Sequence, residues 1–127
     1  MKLALDTNRY VDLCRQDEKV CQNLEMAEVI YLPFVVIAEL RAGFSIGQKG
    51  KQNEQILQRF LRKSDVHALY PTEITTQCYA NLFRQLRRQG TPIPTNDLWI
   101  AALVVERNII LYTRDAHFSH LPQISLL

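Results

Sequence analysis

Short apolar runs alternate with longer stretches in which apolar residues recur every three or four positions. Leu3-Ala4-Leu5, Val29-Ile30-Tyr31-Leu32, Val66 to Leu69 and Ile109-Ile110-Leu111-Tyr112 are the runs. They are too short for helices and show no polar alternation, so they read as strands buried on both faces. The stretches between them carry helix signals. Thr7 to about Arg15 is one helix, and Asp17 caps a second that runs to Ala27. Pro33 suits the first turn of a third helix, which carries Phe34 to Phe44 and ends near Gly43 or Gly47. A polar loop, residues 47–51, precedes a helix from Gln52 to Lys63 with Ile56, Leu57, Phe60 and Leu61 on one face. Thr72 caps a long helix in which Ile74, Cys78, Leu82 and Leu86 repeat every four residues and which Gly90 ends. Residues 91–94, Thr-Pro-Ile-Pro, form a stiff connector, and Thr95 caps the helix from Asn96 to Arg107. Ile124 to Leu127 reads as a fifth, edge strand after a brief turn.

Buried strands that alternate with helices specify an α/β fold: a central, mostly parallel sheet of four or five strands with helices on both faces. The chain has 127 residues and no repeat, low-complexity tract or linker, which fits one domain over residues 1–127. No apolar run reaches the eighteen or so residues of a membrane span, and the start lacks the parts of a signal peptide. Both features predict a cytoplasmic protein. Cys14, Cys21 and Cys78 form no C-x-x-C, so reduced cysteines are expected rather than a zinc site. His117 and His120, three apart, are expected to be solvated or packed.

Function in such a fold collects at the carboxyl ends of the strands, near a switch in strand order. Asp6 follows the first strand and Asp115 follows the fourth. Asp97 lies in the first turn of the helix that feeds the fourth strand, so it belongs to the same edge. Glu39 lies one to two turns into the helix after the second strand. Each has a structural reading of its own: Asp6 as a helix cap, Asp97 as a complement to the helix dipole, Asp115 as turn chemistry. Glu39 interrupts an apolar stretch fit for burial, where an unpaired carboxylate costs several kcal/mol. Taken jointly, four carboxylates on one edge repel one another unless a cation neutralises them. Oxygen-only ligands select a hard ion, Mg²⁺ or Mn²⁺.

Several chemistries are excluded. A dehalogenase-like phosphatase needs a second Asp where Asn8 stands, and a receiver domain needs an Asp after its middle strand, where Val66 to Pro71 offers none. The glycine-rich nucleotide loops and the G-x-S-x-G serine elbow are absent. An acidic metal site with no dedicated nucleophile leaves water to attack, which is the chemistry of metal-assisted phosphodiester hydrolysis.

Four fragments carry a resemblance: Leu5-Asp6-Thr7-Asn8, then 37–43 (Ile-Ala-Glu-Leu-Arg-Ala-Gly), then 96–102 (Asn-Asp-Leu-Trp-Ile-Ala-Ala), then Thr113-Arg114-Asp115 with Phe118. In this order and spacing the chain resembles the PIN-domain ribonucleases and, among them, the VapC-type toxins of toxin–antitoxin pairs. The resemblance implies that Asp6, Glu39, Asp97 and Asp115 hold one or two Mg²⁺ or Mn²⁺ ions. Asn8 and Thr113 match the positions of polar supporters. It also implies RNA cleavage to a 3′-hydroxyl and a 5′-phosphate, a small antitoxin seated in a groove of the early helices, a homodimer, and a larger complex with antitoxin on operator DNA. A processing endonuclease outside any toxin pair and a silent RNA- or protein-binding module are the alternatives. The intact acidic set speaks against the silent one.

Charge fits a polyanionic substrate. The formal net charge is only +2, but setting the four site carboxylates aside leaves nine acidic residues against fifteen basic ones. Among the basic clusters, Arg84, Arg87 and Arg88 are the candidate RNA contacts. Trp99, beside Asp97 in sequence, is expected to pack in the core rather than face a partner.

Overall fold

The structure is a computed structural model describing residues 1–127. Four parallel strands form the sheet: β1 (Lys2–Leu5), β2 (Val29–Pro33), β3 (Val66–Leu69) and β4 (Ile110–Tyr112), in the order β3-β2-β1-β4. Leu3, Ala4 and Leu5 point to alternate faces and all three are fully buried, so both faces of the sheet are covered. β1 pairs with β2 on one side, Leu3 opposite Ile30, and with β4 on the other, Leu3 opposite Ile110. The chain builds outward through β2 and β3 and then returns to the far side of β1. The switch point therefore lies between β1 and β4.

Helices α1 (Thr7–Cys14) and α2 (Glu18–Glu25) join β1 to β2. α3 (Phe34–Ile46) and α4 (Gly50–Leu61) form a hairpin before β3, and α5 (Glu73–Gln89) and α6 (Thr95–Arg107) another before β4. A 3₁₀ turn, Ala116–His120, follows β4. The apolar repeat of α5 buries Leu82 and Leu86 against α6, whose residues 100–104 are almost wholly buried. Trp99 packs as its sequence position suggests, with its ring centroid 4.4 Å from Tyr79 and 5.9 Å from Phe34. The cysteines are free. No helix is long and apolar enough to cross a membrane.

Element boundaries differ from the sequence reading mainly at prolines and glycines. Pro33 is extended (φ −59°, ψ 145°), closes β2 and takes the cap position of α3 instead of its first turn. Pro94 does the same for α6: its carbonyl accepts the amide of Leu98 at 3.0 Å, so Thr95 is helical and not the cap. A proline ring fixes φ near the value shared by extended and helical backbone, so it fits either side of the boundary. Residues 50 and 51 are helical rather than loop. At the C-terminus the fifth strand is reduced to one bridge, Leu111 to Leu126, flanked by the bonds Leu111 N–H to Ser125 (2.8 Å) and Leu127 N–H to Leu111 (3.0 Å).

Gly50 is where the α3–α4 hairpin closes: a Cβ there would stand 2.2 Å from the carbonyl oxygen of Phe44. Gly43, exposed within α3, has open space around that position. Gly50→Ala is therefore expected to destabilise the fold by about 1–3 kcal/mol, because backbone must move. Gly43→Ala is expected to stabilise it by about 0.5–1 kcal/mol through helix propensity. Urea unfolding of the two variants checks the opposite signs.

Candidate active site

Asp6 leaves β1 at the switch point and is 6% exposed. One of its oxygens accepts the amide of Arg9 at 2.9 Å, so Asp6 does cap α1. The other accepts the hydroxyl of Thr113, which follows β4 across the same gap. Thr113 in turn accepts the amide of Asp115 at 2.9 Å. One threonine hydroxyl thus joins the ends of β1 and β4 and sets the backbone of Asp115. Asp6 caps α1 with one oxygen and meets Thr113 with the other, so capping does not occupy the whole carboxylate.

Asp97 enters from the first turn of α6 and Asp115 from the cap of the 3₁₀ turn, where it accepts the amide of His117 at 2.9 Å. His117 folds back over both: its Nδ1 is 3.1 Å from Asp97 Oδ2 and 3.0 Å from Asp115 Oδ1. Asp97, Asp115 and His117 each offer one ligand atom, all within 4.8 Å of one another. Asp6 and Glu39 stand outside that trio.

Glu39 corrects the sequence reading. It is exposed, not buried. The turn of α3 directs Val35, Val36, Ile37 and Leu40 inward and leaves residues 38 and 39 facing out, so an apolar stretch carries a carboxylate without burying it. Its Oε1 accepts the hydroxyl of Thr7 at 2.9 Å, which ties α3 to the start of α1. Asn8, expected to support the site, is exposed on α1 and makes no side-chain hydrogen bond. Thr7, its neighbour, bonds Glu39 instead, and Thr113 donates to Asp6.

The electrostatics follow from this crowding. Burial, above all, pushes the Asp97 carboxyl up to about 6; negative Asp115 adds to this, His117 opposes it, and Glu39 contributes a smaller rise. Burial also raises Asp6, against the stabilising bonds from Thr113 and Arg9. The nearest guanidiniums are occupied elsewhere. Arg9 pairs with Asp12 at 3.3 Å and lies 4.5 Å above the Tyr112 ring, and Arg114 pairs with Asp12 at 3.2 Å.

Arg84, Arg87 and Arg88 are exposed near the C-terminal end of α5 and make no ion pair. Gln89 of the same helix end donates to the carbonyl of His120 at 2.9 Å, and Gln85 exchanges amide bonds with Gln123 at 3.2 and 2.7 Å. The basic end of α5 is thus fastened to the segment that carries Asp115 and His117. His117, expected to be solvated or packed, is half-exposed and also reaches both carboxylates. Its only signal was its position two residues after Asp115, and a histidine near a helical turn is common without a site.

Comparison with known proteins gives a consistent picture. A family model described as "PIN domain" matches residues 3–124. Ribonuclease VapC1 of Haemophilus influenzae (strain R2866) is 30% identical, over 91% of this chain and 87% of that protein. Ribonuclease VapC2 of Rickettsia felis is 29% identical, over 99% of this chain and 96% of its own length. Among solved structures, VapBC2 from Rickettsia felis, bound to a DNA fragment from its promoter, superposes with a TM-score of 0.88 at 30% identity, covering 100% of this chain and 98% of that one. VapBC-1 from nontypeable Haemophilus influenzae superposes equally well (0.88) at 26% identity, covering 100% and 97%.

Asp97 makes stability depend on pH. A carboxyl whose pKa is higher in the folded chain binds its proton more tightly there than in the unfolded chain. Stability falls as that proton is lost, so it decreases as pH rises from about 4 through about 6. In EDTA, Asp97→Asn is expected to match the wild type near pH 4 and exceed it by about 1–3 kcal/mol at pH 7. Thermal or urea unfolding across that range measures the difference. A gap that does not widen with pH would contradict the assignment.

Proposed function

The chain belongs to the PIN-domain family, and on that footing we propose that it is the endoribonuclease toxin of a toxin–antitoxin pair, cleaving RNA with Mg²⁺ or Mn²⁺. The observation that carries the reading is the convergence of Asp97 and Asp115, with Asp6 and Glu39 tied nearby through Thr113 and Thr7, in a chain similar to VapC ribonucleases along nearly its whole length.

The donor set fits a hard divalent cation. Carboxylate oxygens converge, no arginine or lysine forms an ion pair with them, and burial raises the Asp97 and Asp6 carboxyls. Asp97 and Asp115 would hold the ion, with Asp6 and Glu39 completing its surroundings. Bound there, it would supply acidity to an attacking water and neutralise charge on the scissile phosphate. The chain's own groups do the rest. Thr113 fixes the orientation of Asp6 and the backbone of Asp115 with one hydroxyl. Thr7 holds Glu39 to the same edge. Arg84, Arg87 and Arg88 contact phosphates flanking the cleavage point. Attack of water on phosphorus forms one P–O bond and breaks the bond to O3′. The departing oxygen takes a proton, leaving a 3′-hydroxyl and a 5′-phosphate.

The partner is an antitoxin protein, as in the VapBC complexes to which this chain is similar. An apolar hollow of about 630 Å³ lies between α1, α2, α4 and the β2–β3 edge, lined by Leu13, Leu24, Ile30, Ile56 and Phe60 among others. It supports docking of an apolar antitoxin segment among the early helices, beside the amino ends of β2 and β3, whereas the acidic residues lie at the carboxyl ends of the strands.

Asp6→Asn and Asp97→Asn are each expected to lower cleavage of RNA in Mg²⁺ by roughly 100-fold or more while the fold is kept. Retained full activity in either variant would sink the assignment. Arg84, Arg87 and Arg88 changed together to Ala are expected to raise KM and leave kcat nearly unchanged. An unchanged KM would remove those residues from the RNA surface.

A further inference from the structure

Building on that reading of a cation between Asp97 and Asp115, we propose that Nδ1 of His117 is a direct ligand of the same ion, making a mixed oxygen–nitrogen centre that favours Mn²⁺ over Mg²⁺. The distances suit it. Cis ligands around an octahedral ion with bonds of about 2.1 Å lie about 3 Å apart. Nδ1 lies 3.1 Å from Asp97 Oδ2 and 3.0 Å from Asp115 Oδ1. A hydrogen bond spans the same distance, but one N–H can be aimed at one oxygen, and only the contact to Asp97 has hydrogen-bond geometry. The Asp115 oxygen, equally near the ring nitrogen, already accepts the backbone amide of His117. A cation among the three atoms would take both contacts as ordinary ligand-to-ligand spacings.

The ring is presented to the site by rigid means. The His117 amide donates to Asp115 at 2.9 Å, and the next residue, Phe118, is fully buried. His117 is therefore held between an anchored aromatic and the cap of its own turn. Its side chain is 48% exposed and Nε2 has no protein partner, so that nitrogen can carry the ring proton toward water while Nδ1 faces the carboxylates. Imidazole is a poor ligand for Mg²⁺ and a good one for transition metals, which gives the centre its preference. The two possible roles of His117 predict opposite signs. A hydrogen-bond donor competes with a cation for the carboxylates, so removing it would leave binding unchanged or tighter. A ligand, once removed, weakens binding and does so selectively.

The test uses Mn²⁺ and Mg²⁺ titrated into the purified full chain, the Mn²⁺ followed by electron paramagnetic resonance. The chain has three histidines, and among them only His117 reaches Asp97 and Asp115, so a nitrogen coupling in the bound Mn²⁺ spectrum has one source. We expect a ¹⁴N spin-echo modulation in the wild type that vanishes in His117→Ala. Mn²⁺ affinity should fall roughly tenfold in that variant, with a smaller change for Mg²⁺. His117→Asp should restore divalent binding without the preference for Mn²⁺. Bound Mn²⁺ with no nitrogen coupling, coupling that survives in His117→Ala, or undiminished Mn²⁺ affinity in that variant would each overturn the proposal and leave the metal-dependent nuclease reading standing. A wild type that binds neither ion, like Asp97→Asn, would overturn both.

Discussion

The hydroxyl of Thr113 is the joint on which the acidic edge depends. Strands β1 and β4 diverge in the chain by more than a hundred residues and meet only at the switch point. Thr113 donates to Asp6 at the end of one and accepts from the amide of Asp115 beyond the end of the other. A hydroxyl suits this position because it can give and take at once. Valine, similar in shape, would leave a buried carboxylate short of a donor and free the backbone of Asp115. The rest of the site hangs from this joint: Asp115 caps the turn, and the turn presents His117 to Asp97.

Most of the fold was legible because its signals are local. Buried strands announce themselves as unbroken apolar runs, and α5 shows its buried face in the spacing of Leu82 and Leu86. The boundaries that shifted are those where a residue serves two conformations. Pro33 and Pro94 fit an extended cap as well as a first helical turn, and only the hydrogen bonds around them decide. The last residues, 124–127, were apolar enough for a strand, yet their pairing with β4 amounts to one bridge.

The gathering of carboxylates at one edge was legible in the sequence, and their geometry was not. Strand-end placement brought Asp6, Asp97 and Asp115 to one edge without knowledge of any contact. Glu39 reached the same edge for a different reason from the one its neighbours suggested. An apolar stretch on a helix has an outer face, and Glu39 lies on it. The choice between Thr7 and Asn8 as the residue touching the site depends on the angle at which α1 leaves β1, which no sequence pattern encodes. The approach of His117 to the carboxylates was not legible because it depends on the path of a five-residue turn, and that path is set by the burial of Phe118.

The contacts that brace the basic end of α5 are amides and carbonyls: Gln89 to His120, and Gln85 with Gln123. Neutral pairs of this kind are indifferent to ionic strength, whereas arginines facing phosphates are not. Added salt therefore screens the substrate without loosening the platform that presents it. On the proposed role of Arg84, Arg87 and Arg88, the slope of RNA affinity against salt concentration then counts the phosphates engaged, without movement of the helix that carries them.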